Sequence, residues 1–523
     1  MENKEKAHVI SMPYASIEEA LSREESSFIQ SLNGVWNFQL TQGTEALQES
    51  ELSQKDILRP FDEIVVPGVW QLQGYEQQDP PYFIQQGYPP TVGKKHVPNI
   101  DLEANVSGSY FRTVMIPVEW QHREIFICFA GVKSAFYLWV NGQKVGYSQG
   151  SMTPAEFNIT KYLSPGEESS VYVEVLRYCD STYLEGHNTW FLSGIYRDVF
   201  LYAEPKIYIG DYFLHCQFDP CYEDAVLKVQ VEVVNKTGEN EPIGVELFLS
   251  QNLSEIYSGY STSCRMVAKG NQKSNIVMEL MAKSPKKWTA DGPNLYQGLI
   301  VLKDGRGHVV TVKKLTFGFR TVGIFNGQLL VNGLPVLLKG INRHDFDPDT
   351  GCTVSRERYE EDLKLLKRCN VNAIRTSYYP NDACFYELCD QYGLYVMNES
   401  GVQIHPLGSG DVLSSEEEWK DAMVDRMTRM VARDKNHPCV LIWSLGNEKE
   451  QGINFLEMKK EAARLDPTRP FHYEGDFEFK TSDFFSVPTS NLAWMDAIGN
   501  KQIIGKKLLR PMQKDGESKV KTI

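Results

Sequence analysis

The sequence predicts a multidomain protein in which two β-rich regions precede an incomplete (β/α)8 barrel, the TIM-barrel architecture. Three observations carry this. At 523 residues the chain exceeds one ordinary core. Short runs of Val, Ile, Tyr and Phe separated by turn residues fill it to about Thr321, and near Val322 the pattern changes to apolar runs alternating with segments of helical period.

After an N-terminal extension over 1–31, the first β-rich region spans 32–203. Phe136 to Val140, Asn141-Gly142 and Lys144 to Tyr147 read as a hairpin, because Asn-Gly supplies the positive φ angles of a type I′ turn. The second region spans 204–321, and the alternating apolar residues of Leu227 to Val234 half-bury a strand in a sandwich. The third spans 322–508 and opens with a hairpin around Asn332-Gly333. Its expected strands are Val336 to Ile341, Ala373 to Thr376, Leu394 to Met397, Val440 to Trp443 and Phe471 to Tyr473, with a sixth near Asp483 to Ser486. Ser355 is expected to cap a helix bearing Tyr359, Leu363 and Leu366 on one face, closed by Asn370. The capping box Ser415 to Glu418 is expected to open another, with Trp419, Met423, Met427 and Met430 on its stripe. A polar tail, 509–523, follows.

Composition excludes several classes. A formal net charge of -14 argues against a polyanionic partner, since phosphate neutralisation needs clustered Lys and Arg. Met1 to Ser31 lacks a secretory apolar run and no segment is long and apolar enough to span a bilayer, so the expectation is a cytoplasmic protein bound to neither nucleic acid nor membrane. The ten cysteines show no CxxC pair, which fits reduced core thiols.

In such a barrel, polar residues just past the C-terminal strand ends face the active-site mouth. The sharpest candidate is Glu448, because the apolar run from Ile442 ends in Asn447-Glu448; a helix cap or a lysine partner is the competing reading. Other strand ends offer Asn342, Arg343, His344 and Asp345, then Arg375 and Tyr378, then Asn398, Glu399, Gln403 and His405. Taken alone, His344 or His405 reads as a hydrogen-bonded structural histidine. Converging polar side chains on one rim make a cleft suited to a hydroxyl-rich ligand.

Lys435-Asn-His-Pro-Cys-Val-Leu-Ile-Trp-Ser-Leu-Gly-Asn-Glu448 resembles the acid/base signature of glycoside hydrolase family 2, and Asn342 through Val371 to Thr376 and Tyr379 to Asn381 resembles its other signature. Asp180 to Glu185 and Trp190 to Asp198 resemble the β-galactosidase branch. The resemblance implies a jelly-roll sugar-binding domain, an immunoglobulin-like β-sandwich and the catalytic barrel, acting on terminal β-galactosides such as lactose. By it Glu448 is the acid/base, Asn447 binds the sugar 2-hydroxyl, and His344 and Arg375 line the galactose site. Asp180 reaches in from the first domain to hold sodium and the 6-hydroxyl, while Gln403, His405 and Glu448 form a weakened magnesium site. Retaining hydrolysis needs two carboxylates roughly 5 Å apart, one acid and one nucleophile.

The sequence departs from that family in several places. The resemblance puts the nucleophile in a Cys-Glu-Tyr motif that does not occur here; Arg510 to Ile523 stands where the next strand is expected, and the chain is read as ending before the nucleophile. Glu399 and Glu474 are the weaker alternatives for that role. Gln403 replaces a carboxylate with a neutral amide, a poorer ligand for a hard dication. Tyr378 stands in place of a sugar-contacting His, Gln85 of an Asn, and Val487 to Ser490 of a catalytic Tyr. The alternatives are a non-catalytic carbohydrate-binding relic, a β-glucuronidase or a β-mannosidase. Expected partners are β-galactoside sugars and either a second copy of the chain or a complementing C-terminal fragment.

Overall fold

The computed structural model describes residues 2–22, 25–43, 61–83, 98–101, 103–404, 413–447, 452–474, 476 and 478–486. His405, Glu448, Gln85, Val487 to Ser490 and the tail therefore lie outside the described residues.

Two packed antiparallel sheets form the first region. One carries, in spatial order, Gln143–Gln149, Ala135–Val140, Glu168–Leu176, Val106–Met115, Gly34–Gln42 and Asp62–Val66; the other carries Ala155–Asn158, Glu124–Phe129, Val199–Glu204 and Ile29–Ser31. Trp36, Phe38, Ile127, Leu138, Val173 and Leu201 fill the space between. The expected turn is present, with Asn141 at φ 50° and Gly142 at φ 76° joining Val140 to its partner Gln143.

The second region is a smaller sandwich. Ile207–Phe218, Ala225–Asn235 and Gln272–Ala282 form one sheet. The other is Pro13–Tyr14, Val309–Phe317, Tyr296–Asp304, Glu241–Ser250 and Tyr260–Ala268. Leu227, Val229, Val231 and Val233 are buried while Gln230 between them is exposed, which is the alternation read from the sequence. Pro13–Tyr14 brings the N-terminal arm onto this sandwich.

A three-stranded sheet, Val322–Phe325, Gln328–Val331 and Leu334–Pro335, leads into the barrel, with Asn332 at φ 51° and Gly333 at φ 78°. Five parallel strands then pair in chain order: Gly340–Arg343, Ala373–Thr376, Tyr395–Glu399, Val440–Ser444 and Phe471–His472. Helices Arg356–Arg368, Ala383–Tyr392, Glu417–Asp434 and Asn454–Leu465 alternate with them. Ser355 caps the first helix by accepting from Arg358 N at 3.3 Å, and Asn370 takes the left-handed conformation beyond its end, φ 58°.

Three boundaries differ from expectation. The first barrel strand starts at Gly340, because Val336 N bonds Leu329 O at 3.0 Å and so belongs to the preceding sheet. Ser415 ends a 3-10 turn, Leu413–Ser415, and the next helix begins at Glu417 with no side-chain cap; Glu417 and Glu418 in its first turn favour the positive end of the dipole. Asp483 to Ser486 carries a β-bridge at Phe485 rather than a full strand among the described residues. Asp483 clamps the fifth strand, its N donating to Phe471 O at 2.7 Å and its Oδ2 accepting from Phe471 N at 2.8 Å.

Buried cations lock the sandwiches to the barrel. Arg320 donates to Pro438 O and Val440 O at 3.0 and 2.8 Å, and Arg197 donates to Pro380 O at 2.9 Å. All ten cysteines are free. No helix among the described residues is long and apolar enough to cross a membrane.

Candidate active site

Each polar group of the mouth is placed by the strand it ends. Glu399 closes the third strand and pairs in register with Ser444, which closes the fourth; Ser444 pairs with His472 on the fifth. Arg375 lies one strand further back on the second. The chain then leaves Ser444 through Leu445 and Gly446 to Asn447. Gly446 has φ 152°, and a Cβ there would stand 2.5 Å from Val402 O, so only glycine passes and Asn447 is delivered to the rim.

Glu399 is completely buried and fully engaged. Arg375 grips it as a two-pronged fork, Nε to Oε2 at 2.9 Å and Nη2 to Oε1 at 3.0 Å, and Ser444 Oγ donates to Oε2 at 2.6 Å. Burial opposes the charge on Arg375, yet the Glu399 carboxylate and then Glu474 raise its pKa above the ordinary value. Arg375 Nη2 also donates to Asn447 Oδ1 at 2.9 Å. His472 Nδ1 lies 2.9 Å from Ser444 Oγ, and burial followed by the Arg375 charge pushes this ring down to about 3, so it is neutral at any working pH.

The first sandwich contributes a loop to the same rim. Gly186 N donates to Gln403 O at 2.9 Å, Gln403 N to Leu184 O at 2.8 Å, and Asn447 N to Val402 O at 3.1 Å. Glu185 is buried beneath, accepting from Ser151 Oγ at 2.5 Å and from Arg426 Nη2 of the barrel at 2.9 Å. Asp180 opens the 3-10 turn Asp180–Leu184 on this loop; its carboxylate is solvent-accessible, although the surrounding protein raises it above the usual range. His344 follows the first strand, edge-on to Tyr378 with ring centroids 5.3 Å apart, and burial followed by Arg343 lowers its pKa. Tyr378 in turn lies under the Arg375 guanidinium at 5.5 Å.

Thus the structure brings Arg375, Asn447, His344, Gln403 and the Asp180 loop to one rim; His405 and Glu448 lie outside the described residues. Other candidates are structural. Arg343 binds Asp345 at 3.0 Å and Asp362 at 2.9 Å, and Asp345 also accepts from Tyr359 at 2.8 Å. Asn398 is spent between Tyr386 at 2.8 Å and Asp434 at 2.7 Å. Glu399 is completely buried with both oxygens bound, whereas Glu474 is half-buried 3.8 Å from Arg375 Nη2. Of the magnesium donors only Gln403 is described. It is fully buried and offers a neutral amide, a poor fit for a tightly held dication.

The fold and domain order match known proteins. Three profiles of one family match in succession: the glycosyl hydrolases family 2 sugar binding domain over 29–205, glycosyl hydrolases family 2 over 207–320, and the family 2 TIM barrel domain over 322–517. The chain belongs to glycoside hydrolase family 2. Its first sandwich is therefore the jelly-roll sugar-binding domain, its second the immunoglobulin-like domain, and its parallel sheet part of a TIM barrel. Similar relatives are a β-galactosidase of Priestia megaterium, 39% identical over 93% of this chain and 48% of that protein, and one of Vibrio vulnificus, 41% identical over 85% and 42%. The family-2 chain thus spans about half the length of the curated relatives it matches. A solved β-glucuronidase of Ruminococcus gnavus shares the fold, with a TM-score of 0.70, 21% identity, and coverage of 92% of this chain and 78% of that one.

Sequence reasoning missed Ser444 and His472. Part of their signal was available: both are polar residues that follow apolar strand residues, Val440 to Trp443 and Phe471.

Proposed function

We propose that this family-2 chain carries the acid/base half of a retaining β-galactosidase acting on terminal β-D-galactosides, lactose among them. The supporting observation is the Arg375 grip on Asn447, which immediately precedes Glu448 and stands beside the first-domain loop. A rim with one fixed amide, a neutral imidazole and a guanidinium anchored by a carboxylate suits neutral hydroxyl-rich sugar better than a polyanion. In this reading Glu448 protonates the departing glycosidic oxygen and then activates water, while a second carboxylate attacks the anomeric carbon. Glu399, completely buried and held by Arg375 and Ser444, is a poor source of that carboxylate, and Glu474, half-buried beside Arg375, is the better-placed one among the described residues. The ~39% identity to β-galactosidases favours galactosides over glucuronides or mannosides.

Asp180 would offer one hard oxygen to sodium, and Gln403 with His405 and Glu448 a weak site for magnesium. The chain is proposed to be cytoplasmic and to bind neither nucleic acid nor membrane; it would work as a homo-oligomer or with a complementing C-terminal fragment. Hydrolysis of an aryl β-galactoside by the purified chain, alone and with such a fragment, tests the reading. Turnover that disappears in Glu448→Gln supports it; hydrolysis of the aryl glucuronide instead moves the specificity; galactose binding with no turnover in either case favours a carbohydrate-binding relic.

A further inference from the structure

Four adjacent strand ends carry a continuous line of hydrogen bonds whose proton positions can be counted. Arg375 donates two bonds to Glu399, so that carboxylate is an acceptor only. Ser444 Oγ, 2.6 Å from Glu399 Oε2, must spend its single hydrogen there. At 2.9 Å from His472 Nδ1 the same oxygen can then only accept, which puts the imidazole hydrogen on Nδ1. At the other end, Arg375 Nη2 holds Asn447 Oδ1 at 2.9 Å and turns the Nδ2 end of that amide away from itself.

We propose that His472, through Ser444 and Glu399, is a positioning residue that sets which end of the Asn447 amide is presented to the sugar. A ring protonated on Nε2 instead would face Ser444 with a lone pair. Ser444 would then turn its hydrogen to the ring, Glu399 would lose one of its three donors, and the Arg375 fork would loosen its hold on Asn447. With the line intact the ligand meets an N–H donor at Asn447, so the hydroxyl bound there accepts and must find its own acceptor elsewhere. This last step rests on the galactoside reading; the proton arrangement does not.

The arrangement is read directly on the unsubstituted chain by nitrogen-15 NMR of the imidazoles, with the His472 signal assigned by its loss in His472→Gln. A ring bearing its hydrogen on Nδ1 at neutral pH, shifting toward the Nε2 form in Ser444→Ala, supports the proposal; an Nε2–H ring in the unsubstituted chain overturns it. Titration with isopropyl β-D-thiogalactoside gives the functional arm. His472→Leu is expected to weaken binding about tenfold, equivalent to about 1.4 kcal/mol, and His472→Gln, which keeps a donor, to restore most of it. Equal affinity in His472→Leu overturns the positioning role. Failure of the unsubstituted chain to bind the thiogalactoside sinks the galactoside reading alone, and the tautomer still decides the line. If His472→Leu does not fold, the tautomer and the His472→Gln titration carry the decision.

Discussion

The barrel mouth and the N-terminal arm both bury charge, yet they use it in opposite ways. At the mouth, one ion pair and one neutral imidazole converge on a single amide, and the line runs across four neighbouring strands. The arm spreads its contacts over three domains. Lys4 reaches Asp425 of the barrel at 3.5 Å, His8 pairs with Glu156 of the jelly roll at 2.8 Å, and Val9 N binds Asp211 of the second sandwich at 3.1 Å. Arg429 closes the seam on Glu5 O at 2.8 Å. Buried charge at the mouth fixes direction; in the arm it fixes the relation between domains.

The sharpest way to break this contrast is Arg375→Ala. It leaves Glu399 completely buried with its ionic partner gone, and removing one member of a buried pair costs about 3–5 kcal/mol. The barrel's urea transition should move by that amount and thiogalactoside binding should disappear, while the sandwich transitions stay in place. Arg375→Lys should recover part of the stability but little of the binding, because an ammonium cannot reproduce the two-pronged grip. Loss of the sandwich transitions as well would show that the mouth is not energetically separate.

The next effect is acid sensitivity. His472 is held neutral, its pKa lowered from the ordinary 6.5 to about 3 by burial and Arg375. The unfolded chain therefore binds a proton that the folded chain refuses over that interval. Stability is complete above pH 6.5 and falls by about 1.4 kcal/mol per pH unit on acidification, about 2 kcal/mol by pH 5. His187, fully buried and lowered by burial, then by Lys133, His344 and Arg426, adds a contribution of the same sign. Comparing urea midpoints at pH 7 and pH 5, His472→Gln should show a smaller acid loss than the unsubstituted chain; an unchanged difference would exclude His472 as the source.

Much of this was legible in the residues. The hairpins at Asn141-Gly142 and Asn332-Gly333, the Ser355 cap and the five barrel strands follow from turn chemistry, capping and periodicity, which act over a few residues. The strand ends pointed to Arg375, Asn447 and His344 because polar groups after apolar runs lie at the mouth. Less legible was the division between reactive and structural polar groups. Asn398 and Asp345 look no different from Asn447 in sequence, and only their partners, Asp434 and Arg343 among them, show that they are spent. Ser444 and His472 escaped notice because their meaning depends on the register between neighbouring parallel strands, which local periodicity does not set.

The smallest expected effect tests the arm. Burial would lower His8, but Glu156, by charge and hydrogen bond, raises it to about 9 from 6.5; burial lowers Lys4 from 10.5 to about 7, with Asp425 opposing and Arg429 and Arg426 adding to it. The contribution of His8 is fully present below pH 6.5 and is lost as pH rises through about 9. That of Lys4 runs the other way, because the unfolded chain keeps its proton up to 10.5 while the folded chain gives it up near 7, so stability rises with pH over that range. Between pH 7 and 9 the two slopes oppose each other, each at most about 1.4 kcal/mol per pH unit. The unsubstituted arm should therefore be nearly indifferent to pH there, His8→Gln should make the protein gain stability toward pH 9, and Lys4→Met should make it lose stability. Thermal midpoints at pH 7, 8 and 9 for the three proteins check the signs. Parallel curves would mean that the arm undocks before the domains unfold, and the contrast with the mouth would reduce to one of placement rather than of charge.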